Sequence, residues 1–164
     1  MVRMWRRALE ATAKVIATVG GLGYSPIAPG TLGTFAAVPL ALACRDLDTS
    51  TYVAVVLLIS IVGIVVSSIA DHAWGTDDSG RIVIDEVAGY LVTTIAVDRG
   101  STLALGICFV LFRFFDIVKP PPIRWIDRNV GGGIGVMLDD LVAGVCAGVV
   151  AYLVMGLVDG AYLA

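Results

Sequence analysis

The stretch YVAVVLLISIVGIVVSSIA, residues 52–70, contains nineteen consecutive residues without a formal charge. A helix of that length is about 28 Å long, close to the ~30 Å thickness of the hydrocarbon core of a bilayer. A second stretch, residues 141–158, adds eighteen uncharged residues near the other end of the chain. Both stretches predict helices that span a membrane.

The composition agrees with a membrane protein. The 164 residues, a length that indicates one domain, are 58% hydrophobic and only 15% charged, with a mean hydropathy of +0.92. Soluble domains are about half apolar and about a quarter charged. The net charge of −3 and the absence of a basic stripe exclude a nucleic-acid-binding protein. Three cysteines in apolar segments lack metal-site spacing, so we interpret them as packing residues.

Three further apolar segments are shorter: residues 34–44, 87–97 and 101–112. Each reaches only about 16–18 Å as a helix, so it extends into its charged flanks or enters the bilayer without crossing it. The tight link Asp98-Arg99-Gly100 favours two antiparallel helices. The sequence therefore predicts an all-α, integral membrane bundle of about five apolar helices, forming one membrane-embedded domain over residues 1–164.

Residues 1–20 predict an additional helix that lies on the membrane surface. Four residues repeat on one helical face, beside several arginines: Trp5, Leu9, Thr12 and Ile16. Glu10 and Lys14 interrupt what would be the uncharged region of a signal peptide, and no small-residue cleavage site follows.

The distribution of basic residues predicts the topology. With a cytoplasmic N-terminus and five crossings, nine basic residues lie inside: Arg3, Arg6, Arg7, Lys14, Arg81, Arg113, Lys119, Arg124 and Arg128. Only Arg45 and Arg99 lie outside, which the positive-inside rule favours. The same topology places most acidic residues on the cytoplasmic face, where we expect the functional site.

The first polar segment on that face is GLGYSPIAPGTLGT, residues 21–34. Its prolines and glycines exclude a regular helix before Pro29, and Pro29-Gly30-Thr31 predicts a turn with Thr31 as helix N-cap. Free backbone N–H groups at a helix start bind phosphate well. The alternative is a plain turn followed by a cap.

Two acidic pairs are predicted to open helices on the same face. Asp85 and Glu86 precede one uncharged run, and Asp139 and Asp140 precede the last predicted transmembrane helix. Either pair alone is explained by the helix dipole. The dipole explanation is weaker for both pairs together with Asp116 and Asp127, and the two pairs predict oxygen ligands for Mg²⁺.

The segment FRFFDIVKPPPIRWIDR, residues 112–128, concentrates charge of both signs. Arg113 and Asp116 share a helical face, and the helix should end by Lys119 because Pro120 follows. Three prolines then predict a rigid extended passage before Arg124. The alternative is a set of surface salt bridges that bind no ligand.

Acidic metal ligands beside basic phosphate ligands indicate phosphoryl transfer or phosphate ester hydrolysis. Other phosphatase designs are excluded, since the chain lacks a Cys-x5-Arg loop and a D-x-D aspartate-nucleophile motif among these segments, and has one histidine. We interpret that residue, His72, as solvated rather than catalytic.

The strings SPIAPGTLGT, DSGRIVIDEVAGY, FRFFDIVKPPPIRWIDR and GGGIGVMLDDLVAG, in this order, resemble the signature blocks of the phosphatidylglycerophosphatase A family. The resemblance covers residues 21–158. It implies an all-helical, Mg²⁺-dependent lipid phosphatase that converts phosphatidylglycerophosphate to phosphatidylglycerol in the bacterial cytoplasmic (inner) membrane. The family's block positions fall on Pro29, Gly30, Thr31, Gly33, Asp78, Asp85, Glu86, Gly89, Arg113, Asp116, Lys119, Pro120, Pro122, Arg124, Asp127, Asp139, Asp140 and Gly144.

On this basis we expect a metal site built from carboxylates: Asp85, Glu86, Asp139, Asp140 and Asp116. Asp116 either joins the ligands or acts as base toward water, so the predicted catalytic residues are Asp116, Asp85 and Lys119. The predicted phosphate ligands are Lys119, Arg113, Arg124, Thr31 and Gly30. Attack by water and attack by a carboxylate remain open at this point, and membrane lipids are the other expected partners.

Two other functions compete with hydrolysis. A membrane phosphotransferase of lipid synthesis also uses Mg²⁺ and aspartates, but its D-G-x2-A-R string is absent. A cation-binding transporter would carry charges near the bilayer midplane, and residues 52–70 and 141–158 carry none. A purely structural subunit gives no reason for two acidic pairs.

Overall fold

The computed structural model describes residues 2–162, and this part of the chain is all-α. A short 3₁₀ helix, Leu22–Tyr24, separates the first two α-helices. The seven α-helices are α1 (Val2–Ala17), α2 (Pro29–Ala43), α3 (Thr49–Trp74), α4 (Ile84–Thr93), α5 (Thr102–Val118), α6 (Ile123–Asn129) and α7 (Gly132–Tyr162). The all-α prediction is confirmed for the described residues.

Two of these helices are long and apolar enough to cross a membrane: Thr49–Trp74 and Gly132–Val158. They contain the two stretches that the sequence singled out. The other apolar helices are shorter, with 15 residues in α2, 10 in α4 and 17 in α5. Helix α5 extends beyond the predicted residue 112 to Val118, so it incorporates Arg113 and Asp116.

Small residues, together with several large buried side chains, form the inside of the bundle, while large aliphatic residues cover its outside. Ser60, Gly63 and Ser67 are the buried face of α3, whereas Leu57 is 57% exposed. On α7, Leu153 is 60% exposed although neighbouring alanines are buried. Small residues at helix contacts with aliphatic residues outside are typical of helices that face lipid.

The chain reverses at two opposite ends of the bundle. At one end the α2–α3 and α4–α5 links meet, and Arg99 joins them: its guanidinium donates to the carbonyls of Leu47 (2.7 Å) and Cys44 (3.4 Å) and lies 4.1 Å from the Tyr52 ring centroid. The opposite end contains the starts of α2, α4 and α7 and the ends of α3 and α5. We refer to it as the polar end.

Helix α1 crosses the last turns of α3, at the polar end. The Lys14 ammonium donates to the Ala73 carbonyl at 3.2 Å, and Ala13 is buried. The predicted apolar stripe faces outward, with Trp5 69% and Leu9 57% exposed. This placement leaves the stripe available to a membrane surface.

Helix α7 begins at Gly132, nine residues before the predicted stretch, so the prediction that Asp139 and Asp140 open this helix was wrong. The glycine-rich segment is helical because it packs closely on α3: a Cβ added to Gly133 would lie 2.2 Å from the Ile64 carbonyl oxygen. Asp139 and Asp140 therefore lie two turns inside the helix.

Two further local predictions were wrong. Helix α2 starts at Pro29, so Thr31 lies in its first turn and Ala28 takes the N-cap position. Proline is suited to a first helical position because its φ is fixed and it has no N–H to satisfy. The three prolines form a turn, in which Pro122 (φ −90°, ψ −3°) leads directly into α6, rather than an extended passage.

Candidate active site

A cavity of about 380 Å³ opens at the polar end, and segments far apart in the chain meet there. Its charged lining is strongly acidic. Eight acidic residues line it: Asp77, Asp78, Asp85, Glu86, Asp116, Asp127, Asp139 and Asp140. Among the described residues, Lys119 and Arg128 are the two cations in the lining. A phosphate can enter such a cavity only if further positive charge accompanies it.

Three of the carboxylates converge. Oxygen atoms of Asp85, Glu86 and Asp140 lie within 4.8 Å of one another. We call these three residues the carboxylate triad. The convergence depends on close contact between α4 and α7, because a Cβ on Gly144 would lie 2.3 Å from the carbonyl oxygen of Gly89. Gly89 follows Asp85 and Glu86 by about one helical turn, and Gly144 follows Asp140 by about one turn. The contact between the two glycines therefore brings the three carboxylates to the same height along the bundle axis.

The triad fits a hard divalent cation. Glu86 Oε2 and Asp140 Oδ2 are buried and accept no hydrogen bond from any described residue. Buried charged oxygens without partners are costly unless a cation binds them. Carboxylate oxygens are the ligands that Mg²⁺ prefers. The predicted ligands Asp85, Glu86 and Asp140 are thus brought together, and Asp139 and Asp116 lie beside them in the lining.

The electrostatics of the α4 pair agree with that fit. Burial raises the pKa of Asp85 to about 6, with the Asp139 and Asp116 carboxylates adding like-charge repulsion. Burial and the adjacent Asp85 raise the pKa of Glu86 well above its usual range. A bound divalent cation favours the ionised forms and opposes both effects.

Lys119 is held in the cavity wall. It ends α5 in the left-handed conformation (φ 46°), and its ammonium donates to Asp127 and, at 2.5 Å, to Asp139 Oδ2. Burial alone would lower the pKa of Lys119, but the hydrogen bonds that its ammonium donates to Asp127 and Asp139 outweigh burial, and the pKa is raised. Lys119 is therefore a positive charge in the cavity wall, held there by Asp127 and Asp139.

Arg113 is not part of the cavity lining, although it was predicted to bind phosphate. Its side chain is 16% exposed and pairs with Asp116 Oδ2 at 2.5 Å, while Glu86 Oε1 lies 3.9 Å away. Gly30 leaves room for this arrangement, since a Cβ there would lie 2.0 Å from Glu86 Oε1. The Arg113 guanidinium lies on the interior side of the cavity wall, where it orients the carboxylates of Asp116 and Glu86.

Arg124 and Thr31 also lie outside the cavity lining, and their contact with phosphate stays a prediction. The Arg124 guanidinium donates to the Val118 carbonyl at 3.1 Å, since the proline turn places the start of α6 beside the end of α5. Arg128, one turn later, lines the cavity instead. Arg128 was not among the predicted site residues, and the available signal was a basic residue three positions before the glycine-rich segment that begins at Gly131.

Comparison with known proteins agrees with this site. The sequence model of the family described as Phosphatidylglycerophosphatase A matches residues 15–155. Phosphatidylglycerophosphatase A of Escherichia coli K12 is 40% identical over 134 residues, covering 82% of this chain and 78% of the relative. The Haemophilus influenzae protein of that name is 33% identical over 135 residues, covering 82% and 83%.

A protein of Bacteroides thetaiotaomicron provisionally named phosphatidylinositol-3-phosphatase is 40% identical over 139 residues, covering 80% of this chain and 86% of the relative. No solved structure matches the chain. The family match covers most of the sequence, including every segment that contributes to the triad. The chain therefore belongs to the phosphatidylglycerophosphatase A family.

Proposed function

We propose that this protein is a Mg²⁺-dependent lipid phosphatase that hydrolyses phosphatidylglycerophosphate to phosphatidylglycerol and inorganic phosphate. The observation that carries the proposal is the carboxylate triad, with its unpartnered oxygens, in one cavity with Lys119. The names of the relatives from E. coli and H. influenzae support this substrate. The Bacteroides relative is named for a different lipid, but that lipid also carries a phosphate monoester on its headgroup.

The residues present divide the chemistry as follows. Asp85, Glu86 and Asp140 would hold Mg²⁺, which neutralises phosphate charge when bound. Lys119 contacts the phosphoryl oxygens and stabilises the charge that they carry as the ester bond breaks. We assign Asp116 as the base toward water, because Arg113 holds its Oδ2 and its other oxygen is left for the cavity.

The proposed reaction is hydrolysis of the phosphate monoester by water. Water forms the new P–O bond as the bond between phosphorus and the glycerol oxygen breaks. Asp116 accepts a proton from the attacking water and later releases it to solvent, and the departing glycerol oxygen takes up a proton from a solvent water. The arrangement favours this reaction because Asp127 and Asp139 hold Lys119, and the triad carboxylates already converge, before substrate enters.

The position of the cavity suits a lipid. It lies at the polar end of a bundle whose outer surface is aliphatic, so a headgroup can enter while its acyl chains stay against that surface. We propose a multi-pass protein of the bacterial cytoplasmic membrane in which α2, α3, α4, α5 and α7 form the apolar bundle. The polar end faces the cytoplasm, and α1 lies on that membrane surface.

The decisive experiment measures phosphate release by the purified protein in detergent, with phosphatidylglycerophosphate and with phosphatidylinositol 3-phosphate, each with Mg²⁺ or with EDTA. We expect Mg²⁺-dependent release from the first lipid. Asp85→Asn and Asp140→Asn should each reduce release at least 100-fold, because each removes a charged metal ligand. Asp46→Asn, an exposed acid at the opposite end, is the matched control and should retain full activity.

Near-normal activity in both triad variants would refute the metal assignment. Release only from the inositol lipid would retain the site and reassign the substrate.

A further inference from the structure

We propose that Asp71 is a positioning residue of this site: it holds the loop of residues 76–80 in place and thereby sets Asp78 in the cavity wall. The inference rests on the proposed function, because the cavity is the site proposed for hydrolysis. The sequence analysis assigned no role to Asp71. Asp71 itself does not line the cavity; Asp78 and Ser79 do.

Among the described residues, every hydrogen bond to the Asp71 side chain comes from this loop. Its side chain is buried, at 4% exposure. Oδ1 accepts from the Thr76 hydroxyl at 2.9 Å and from the Ser79 backbone N–H at 2.9 Å, and Oδ2 accepts from the Asp78 backbone N–H at 3.0 Å. Three donors from one loop converge on one carboxylate, and hydrogen bonds to an ionised acceptor are the strong ones.

Helix stability does not explain an acidic residue at this position. Asp71 lies in the last turn of α3, which ends at Trp74. The C-terminal end of a helix carries partial negative charge, and a carboxylate there is unfavourable where a basic residue would be favourable. The hydrogen bonds that Asp71 accepts from the loop therefore explain why an aspartate occupies this position.

The loop adopts a conformation that needs such support. Asp78 has φ 62°, a left-handed conformation that is uncommon outside glycine, although aspartate adopts it more often than most residues. Such conformations persist where surrounding contacts determine them, and they concentrate at functional sites. The bonds to the N–H groups of Asp78 and Ser79 fix the backbone on either side of the Asp78 carbonyl. Asp71 thus places the Asp78 carboxylate in the lining that also contains Lys119.

A double-mutant cycle tests the inference. Asp71→Asn keeps the shape of the side chain, but it loses the charge and turns an amide N–H₂ toward a donor. We expect this variant to lower kcat/KM at least tenfold, and Asp78→Asn to lower it by a similar factor. If Asp71 acts through Asp78, the double variant should be no slower than Asp78→Asn alone.

Asp48→Asn is the matched control. Asp48 also accepts hydrogen bonds from two backbone N–H groups, of Ser50 and Thr51, but it does so at the start of α3, at the opposite end of the bundle. This variant should lower the melting temperature and leave kcat/KM within twofold of the original. A loss of activity equal to that of Asp71→Asn would mean that any weakened α3 terminus reduces activity, which would overturn the inference.

Hydrogen exchange supplies a readout that does not depend on catalysis. In Asp71→Asn the amides of Asp78 and Ser79 should exchange at least tenfold faster, while amides in the middle of α3 stay protected. Unchanged exchange at both amides would overturn the inference, as would multiplicative losses of kcat/KM in the double variant. If the original protein released no phosphate from any lipid, the proposed function would fail, and exchange alone would decide the role of Asp71.

Discussion

Arg113 and Lys119 lie six residues apart in one charged segment, yet their side chains have different surroundings. Arg113 is enclosed by Asp116 and Glu86, whereas Lys119 lines the cavity with Asp139. The buried Arg113 guanidinium orients the two carboxylates beside it, while the Lys119 ammonium in the cavity wall can contact a bound substrate. At the residue scale, surroundings rather than residue type separate these roles.

The same distinction applies to two arginines of α6. Arg128 lines the acidic cavity, while Arg124 donates to the Val118 carbonyl outside it. We expect Arg128→Ala to raise KM for the lipid phosphate at least fivefold with kcat within twofold, because it removes one of few cations that offset the acidic lining. Arg124→Ala is the matched control and should leave both constants within twofold. Equal effects of the two variants would contradict the geometry.

The raised pKa of Asp85 predicts how stability depends on pH without metal. An acid with a folded-state pKa of about 6 and an ordinary value of 3.8 binds more protons when folded, so stability falls as the pH rises from about 4 to about 6 and stays low above it. In EDTA, Asp85→Asn should therefore be more stable than the original protein at pH 7, by on the order of 1–3 kcal/mol.

Thermal unfolding in detergent at pH 5 and pH 7 measures this difference. Added Mg²⁺ should stabilise the original protein and not Asp85→Asn. A variant that is less stable than the original at pH 7 in EDTA would show that Asp85 is not a strained acid.

At the element scale, the contact between α4 and α7 sets the triad. Gly89 and Gly144 let the two helices approach so closely that a Cβ on either residue would clash. A Cβ added to Gly89 would lie 2.6 Å from the Asp140 carbonyl oxygen. A glycine in a helix costs about 1 kcal/mol relative to alanine. The close packing that Gly89 and Gly144 allow offsets this cost.

Alanine substitutions separate packing from helix propensity. Gly144→Ala should destabilise the protein by about 1–3 kcal/mol and lower activity at least tenfold, because the added methyl group pushes α7 from α4 and displaces Asp140. Gly106→Ala in α5 is the control, since a Cβ there meets no atom within 4 Å. It should be neutral or stabilising by up to about 1 kcal/mol, with full activity. Both melting temperature and phosphate release are measured.

At the scale of the whole molecule, the two ends of the bundle differ in chemistry. The cavity and its acidic residues are at the polar end, while Arg45 and Arg99 belong to the links at the other end. The aliphatic outer surface between them is typical of a lipid-facing belt. This division predicts which residues a reagent confined to one side of the membrane reaches.

Cysteine labelling tests that topology. In a background with Cys44, Cys108 and Cys146 changed to alanine, Asp46→Cys should react with a membrane-impermeant maleimide in intact spheroplasts. Asp77→Cys, in the cavity lining, should react only after lysis. Labelling of Asp77→Cys in intact spheroplasts would place the cavity on the outer face and contradict the proposed topology.

The helical class, and the acidic residues that the fold brings together, could be predicted from the sequence. Long uncharged stretches predict apolar helices, because the length of a helix follows directly from its residue count. The acidic residues of the triad were also identified from sequence, since carboxylates beside apolar helices are costly and call for a ligand. These are local properties, and local properties can be read along the chain.

Tertiary structure alone decided which side chains face the cavity. Asp85 and Asp140 come together through a glycine contact between helices that are about fifty residues apart in sequence. Arg128 rather than Arg124 lines the cavity, and Asp71, outside the lining, accepts a hydrogen bond from the backbone N–H of Asp78 in the cavity wall. The physical reason is that the direction of a side chain depends on helix ends, turns and packing against distant segments, none of which is encoded in the spacing of the charged residues themselves.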